Sequence, residues 1–179
     1  MSEKGWALWI TGLPSSGKST LAREVLQRLS ELGIRAQILE SDELRRVLTP
    51  QATYTEEERD RFYEAMIYIG HLLVENSVNV IFDATANKRR YREEARRKIG
   101  RFLEVYAKCP LSICLARDAK GIYKAAKGGR ASTVPGIQVP YEEPENPEVI
   151  VETDRTKPEE GAKVIVEALF SKGFIKRGS

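Results

Sequence analysis

The sequence predicts an α/β fold of three layers, a mostly parallel sheet of about five strands with helices on both faces and a covering lid segment. Three observations predict it. Short β-like runs alternate with helical stretches along the chain, and that alternation builds parallel sheets covered on both sides. A turn rich in glycine and serine follows the first apolar run directly. The length of 179 residues suits a single domain, 1–179, with a full core.

Strands are expected at 6–11, 35–40, 78–83, 102–107 and 149–152, and helices at 18–32, 42–48, 56–76, 89–99, 111–117 and 158–171. In the long third helix Phe62, Met66, Ile69 and Leu73 recur at three- and four-residue spacing, which predicts one buried stripe. Thr55 followed by Glu56, Glu57 and Glu58 reads as a capped helix start with acids in its first turn. Residues 118–147 are rich in Gly, Pro and Lys and contain no strand-length apolar run. A stretch that long inside a compact domain reads as a mobile cover over a site.

Composition narrows the functional classes. Hydrophobic residues make up 41% and charged residues 31%, and the formal net charge is only +3. That balance gives no support to a nucleic-acid or membrane partner. No apolar stretch approaches the roughly 20 residues of a membrane span, and the opening residues carry no signal core, so a cytoplasmic location is expected. Cys109 and Cys114 lie in apolar contexts and read as buried free thiols. With one histidine, His71, no zinc set can be assembled. His71 falls within a helix and reads as structural.

Ligands of open parallel sheets bind at the carboxyl ends of the strands. The first such exit carries the sharpest motif: Gly12, four residues, Gly17, Lys18, Ser19. This is the phosphate-loop pattern, and it refines the expectation to a P-loop NTPase fold. Its glycines let successive backbone N–H groups face a phosphate, and the helix start behind it adds partial positive charge. Gly12, Leu13, Pro14, Ser15, Ser16, Gly17, Lys18, Ser19 and Thr20 are therefore expected to hold the triphosphate of ATP, with Lys18 on its outer phosphates and Ser19 ligating Mg²⁺. The Asn/Thr-Lys-x-Asp run of guanine-reading switches has no counterpart, because Asn87-Lys88 and Thr156-Lys157 lack the aspartate. A small-molecule kinase is the better reading.

Other exits supply candidates with two readings each. Asp42 either orients an acceptor hydroxyl or caps a helix, and Arg45, one turn on, can pair with an anionic substrate. Asp83 either serves Mg²⁺ chemistry or is a turn residue. The basic run at 88–101 reads mostly as a solvated helix face, with Arg89 the candidate to face the site.

Two further segments sharpen this. Ala116-Arg117-Asp118-Ala119-Lys120-Gly121-Ile122-Tyr123-Lys124 and Pro140-Tyr141-Glu142-Glu143-Pro144-Glu145-Asn146-Pro147-Glu148, at this separation, resemble the adenylylsulfate kinase (APS kinase) family, and the similarity runs from about Trp6 to Phe170. The resemblance implies phosphorylation of the 3′-hydroxyl of adenosine 5′-phosphosulfate (APS), a small-molecule acceptor, and commonly a homodimer. It implies that Asp42 lies near the reacting hydroxyl, that Arg45 and Arg59 contact the acceptor, and that Tyr54 stands where the family has an adenine-facing Phe. It implies that Arg117 and Lys120 belong to the lid over the nucleotide. Phe62 occupies an acceptor-site position where the family has Asn. Ser132 and Val134 replace a Lys and a Phe of the family's lid, and Ala86 replaces a serine, so no phosphoserine role is carried over. These departures cluster on the acceptor side. They keep open a kinase for another small hydroxyl compound (a nucleoside, a sugar acid or a polynucleotide end) or an ATP-binding regulatory protein without turnover.

Overall fold

The computed structural model describes residues 3–176. Five strands run in order β1 (Ala7–Thr11), β2 (Ala36–Glu40), β3 (Asn79–Asp83), β4 (Phe102–Lys108) and β5 (Val149–Glu152). They form one sheet, ordered β2-β3-β1-β4-β5, with every pairing parallel. Among the described residues seven helices lie between and after the strands: α1 (Lys18–Glu31), α2 (Ser41–Leu48), α3 (Glu56–Glu75), α4 (Arg89–Lys98), α5 (Leu111–Arg117), α6 (Ile122–Lys127) and α7 (Pro158–Ser171). The five strands and six of the helices fall where the sequence puts them, within a residue at either end.

β1 is central and wholly buried. Its period-two alternation splits the core. Leu8 and Ile10 join the layer beneath α1 and α7, while Ala7 and Trp9 join the layer beneath α3 and α4. Trp9 stacks on Phe82 of β3 with ring centroids 4.5 Å apart, and its indole N–H donates to the Ala84 carbonyl at 3.1 Å. The exits of β1 and β3 are thereby locked side by side.

Three expectations need correction. The buried stripe of α3 is rotated: Phe62, Tyr63, Met66, Ile67, Gly70 and Val74 are buried, while Ile69 and Leu73 are only partly so. The spacing picked one edge of the face because tyrosine and glycine are weak hydrophobic markers. Residues 118–147 are also more ordered than their composition implies. Ile122, Tyr123 and Ala126 of α6 pack with Cys109, Cys114 and Val134 into a third small core. The Asp118 carboxylate accepts from the N–H groups of Tyr123 and Lys124 at 3.0 and 2.9 Å. Both cysteines are free and buried, as expected.

The third correction concerns the basic run of α4. Arg92 is not a solvated side chain: its residue is 2% exposed. Its Nε donates to Glu104 on β4 at 2.7 Å, Nη1 donates to the Ala86 carbonyl, and Nη2 donates to the Glu142 carbonyl at 2.6 Å. Arg96 makes a two-pronged contact with Glu148, at 2.6 and 2.9 Å. Arg89, the candidate for the site, instead donates to the Glu143 carbonyl and to Glu145, both at 2.7 Å. These arginines hold the second half of the covering segment against the sheet. Removing one partner of a buried, fully bonded pair leaves the other charge uncompensated. Arg92→Met is expected to cost about 3 kcal/mol, lowering Tm by roughly 10 °C in a calorimetric scan. A change of a degree or two would show that Arg92 is not a structural clamp.

Candidate active site

The turn leaving β1 is shaped by backbone constraints. A Cβ on Gly12 would lie 2.5 Å from the Ala107 carbonyl oxygen and 2.6 Å from Ser16 Oγ, so no side chain fits. Gly17 has φ of 90° and forms the left-handed N-cap of α1. No side chain caps this helix and no acid stands in its first turn. A start of this kind leaves N–H groups and positive partial charge open to an anion.

Lys18 opens α1 and is 9% exposed. Its Nζ donates to the carbonyls of Gly12 and Leu13 at 3.1 and 2.8 Å, curling over its own loop. Burial lowers its pKa to about 8, Asp83 and Asp42 pull upward, and Lys120 adds to the lowering. Two carboxylates and a second ammonium thus lie within electrostatic reach of Lys18.

Those groups line one cleft of about 610 Å³, shared by Pro14, Ser15, Gly17, Lys18, Ser19, Thr20, Asp42, Asp83, Arg117 and Lys120. Asp83, at the end of β3, is 4% exposed. Asp42 lies in the first turn of α2, whose N-cap is Glu40, so the capping alternative for Asp42 does not hold. Lys120, from the covering segment, donates to Asp42 Oδ2 and lies 3.7 Å from Glu40 Oε1. Burial disfavours the Lys120 charge most strongly, but the bond to Asp42 and the charges of Asp42, Glu40 and Asp83 together outweigh it and raise the pKa. The covering segment therefore reaches across the cleft mouth.

The remaining candidates gather elsewhere. Leu13 turns away from the cleft into the third core. Arg45, Tyr54, Arg59 and Phe62 meet where α2 and α3 join. The Arg45 guanidinium carbon lies 3.9 Å from the Phe62 ring centre and 4.9 Å from that of Tyr54. Arg59 lies 5.9 Å from Tyr54 and donates from Nη2 to the carbonyl and hydroxyl oxygens of Thr133 at 2.6 and 3.2 Å. Phe62 is 2% exposed and Tyr54 is 44% exposed. Ala86 is buried and carries no hydroxyl that could be modified.

Sequence reasoning gave no site role to four supporting residues. Thr153, just past β5, donates from Oγ1 to the Ser16 carbonyl at 2.6 Å, and its own carbonyl accepts from Arg117 at 3.0 Å. Tyr141 bonds Thr11 at 3.0 Å, and Thr11 donates to the Thr85 carbonyl at 2.6 Å. Glu58, read as a cap, accepts from Thr53 and Tyr54 N–H groups at 2.8 and 3.1 Å. Thr153 and Thr11 sit at strand exits, so the strand-exit rule held their signal. Glu58 carried none beyond capping.

Residues 4–152 match the sequence family described as adenylylsulphate kinase. The chain belongs to the adenylylsulphate kinase family. It is 38% identical over 174 residues to the adenylyl-sulfate kinase of Halothermothrix orenii, covering 97% of this chain and 94% of that one. It is 39% identical over 150 residues to the probable adenylyl-sulfate kinase of Archaeoglobus fulgidus, covering 84% and 97%. The structure of Mycobacterium tuberculosis APS kinase in complex with AMPPNP and APS matches with a TM-score of 0.88 at 31% identity, covering 94% of this chain and 99% of that one. A Janibacter sugar kinase matches with a TM-score of 0.68 at 18% identity, which shows a shared fold and no more. Membership of the adenylylsulphate kinase family makes the chain an ATP-dependent kinase of P-loop fold.

A buried ammonium makes the unliganded protein's stability depend on pH. Unfolded, Lys18 returns to about 10.5, so the unfolded chain binds this proton more tightly. The penalty is full below about pH 8 and fades as pH rises toward 10.5. In denaturant titrations from pH 7 to 10, wild type should gain stability relative to Lys18→Met. Parallel curves would show that the lysine is not held in this state.

Proposed function

We propose that the chain transfers a phosphoryl group from ATP to the 3′-hydroxyl of APS, giving the 3′-phosphorylated product and ADP, as a step of sulfate assimilation. The observation that carries this is the cleft itself. An uncapped helix start, a buried lysine and two carboxylates converge in a chain closely similar to enzymes named for that reaction.

In this reading residues 1–179 work as one kinase domain, with 118–147 as the lid. The N–H groups of the phosphate loop and Lys18 neutralise charge that builds on the transferred group. Lys18 must first leave the carbonyls of Gly12 and Leu13, and incoming phosphate oxygens replace them. Asp42 accepts a hydrogen bond from the acceptor hydroxyl and aims it for in-line attack, once Lys120 has shifted toward the phosphates. Arg117 and Lys120 close over the nucleotide and exclude water, so that ATP is not hydrolysed. Arg45 and Arg59 hold the acceptor's anionic groups, and Tyr54 offers a ring face to its base. No nucleophilic side chain is needed, because phosphoryl transfer of this type depends on positioning and charge.

Mg²⁺ fits the donor set. Ser19 and Asp83 bring a hydroxyl and a carboxylate to the same cleft, and Mg²⁺ takes one or two hard oxygen ligands from protein and the rest from phosphates and water. The described residues hold no cluster of three or more His, Cys, Asp or Glu suited to a metal cage, consistent with that mode. Bound there, the ion would offset phosphate charge. Among the described residues no helix is long and apolar enough to cross a membrane. A cytoplasmic location and a homodimer complete the proposal on the strength of family membership.

The substitutions at Phe62, Ser132 and Val134 favour one alternative, a different small hydroxyl acceptor on the same ATP site. Coupled ADP release across a panel of acceptors, with and without APS, separates the two. APS is expected to stimulate turnover, and Arg59→Ala should raise the APS KM about tenfold with little change in the ATP KM. No stimulation by APS alongside clear turnover of another hydroxyl would end the proposal, and equal effects on both KM values would remove Arg59 from the acceptor site.

A further inference from the structure

Arg45 presents a buried charge whose hydrogen bonds are incomplete. Its residue is 9% exposed, and its Nη1 is buried without a hydrogen-bond partner. Its ion-pair partner Glu58 stands 3.5 Å away, too far for a good bond, and is already engaged. Glu58 Oε1 accepts from the Tyr54 N–H, and Oε2 accepts from the N–H and hydroxyl of Thr53. A buried guanidinium nitrogen without a partner is costly unless something else supplies one.

What holds the guanidinium is aromatic. Phe62 lies 3.9 Å beneath it and Tyr54 lies 4.9 Å from it. Phe62 is 2% exposed and packs at 5.3 Å against Tyr63, whose hydroxyl accepts from the Ala86 N–H at 2.9 Å. The ring is therefore fixed by the core and covered by Arg45. A residue so buried acts on a ligand through what it supports.

We infer that Phe62 is a positioning residue for the acceptor: its ring face holds the Arg45 guanidinium so that Nη1 meets an anionic oxygen of the phosphate or sulfate class. The inference rests on the reading of Arg45 as an acceptor contact. The physical reason is that a guanidinium stacked on a ring keeps its planar fork pre-organised, so less freedom is lost when it binds an oxyanion. The Phe62 ring supplies that platform. The charge it carries is left one partner short until the acceptor arrives.

Steady-state kinetics on the full chain with APS and ATP test this, using Phe62→Leu, Arg45→Lys and the double variant. Phe62→Leu should raise the APS KM about tenfold and leave the ATP KM within about twofold. Arg45→Lys should raise the APS KM as well, and adding Phe62→Leu to it should change little more, since the two act as a unit. Phe62→Tyr keeps the ring and should restore near-wild-type APS KM. Phe62→Met keeps an apolar side chain of similar size without the ring and should repeat the leucine result if the leucine variant folds poorly. The inference is overturned if Arg45→Lys raises the APS KM while Phe62→Leu or Phe62→Met does not, or if the effects add fully in the double variant. A tyrosine variant as impaired as the leucine one also overturns it. If Arg45→Lys leaves the APS KM untouched, the underlying reading of Arg45 fails and the inference falls with it.

Discussion

A buried ammonium beside an uncapped helix start is the constraint on which the molecule depends. Lys18 sits in a place where its charge is penalised, tied to two carbonyls of its own loop. No side-chain cap and no acid in the first turn of α1 offsets that concentration of positive potential. The arrangement stores an unmet demand for negative charge, and a polyphosphate answers it. Binding strength at such a site comes from charge already in position, which need not reorganise during the reaction.

The rest of the fold keeps that loop in place from several directions. The Tyr123 hydroxyl donates to the Pro14 carbonyl at 2.9 Å from the covering segment, and Thr153 grips the Ser16 carbonyl from the far edge of the sheet. Trp9 locks β1 to the exit of β3, where Asp83 stands. Arg92 ties α4, β4 and the stretch around Glu142 into one unit. The covering segment is thus two things. Its second half is bolted down by arginines, while Lys120, at its beginning, spans the cleft to Asp42.

Much of this was legible in the sequence. The strand–turn–helix signature, the five parallel strands and the carboxylates at strand exits all follow from local pattern, because glycine spacing and apolar periodicity are local properties. Other features depend on who meets whom. Arg92 looks in sequence like any member of a basic helix, and only the packing of α4 on β4 shows that it is buried. Tyr63 and Gly70 in α3 carry the buried face although neither reads as strongly apolar. Thr153 matters because β5 ends beside a loop more than a hundred residues earlier. Phe62 reads as a loss of polarity, yet its ring lies under a guanidinium. Side chains whose function is to support another side chain leave no motif.

The most direct test is titration calorimetry of AMPPNP with Mg²⁺ into the wild-type chain and into Lys18→Ala. The account predicts that wild type binds and that the variant, still folded, loses at least about tenfold in affinity, since a buried charge-assisted contact is removed. Equal affinities in the two proteins would contradict it.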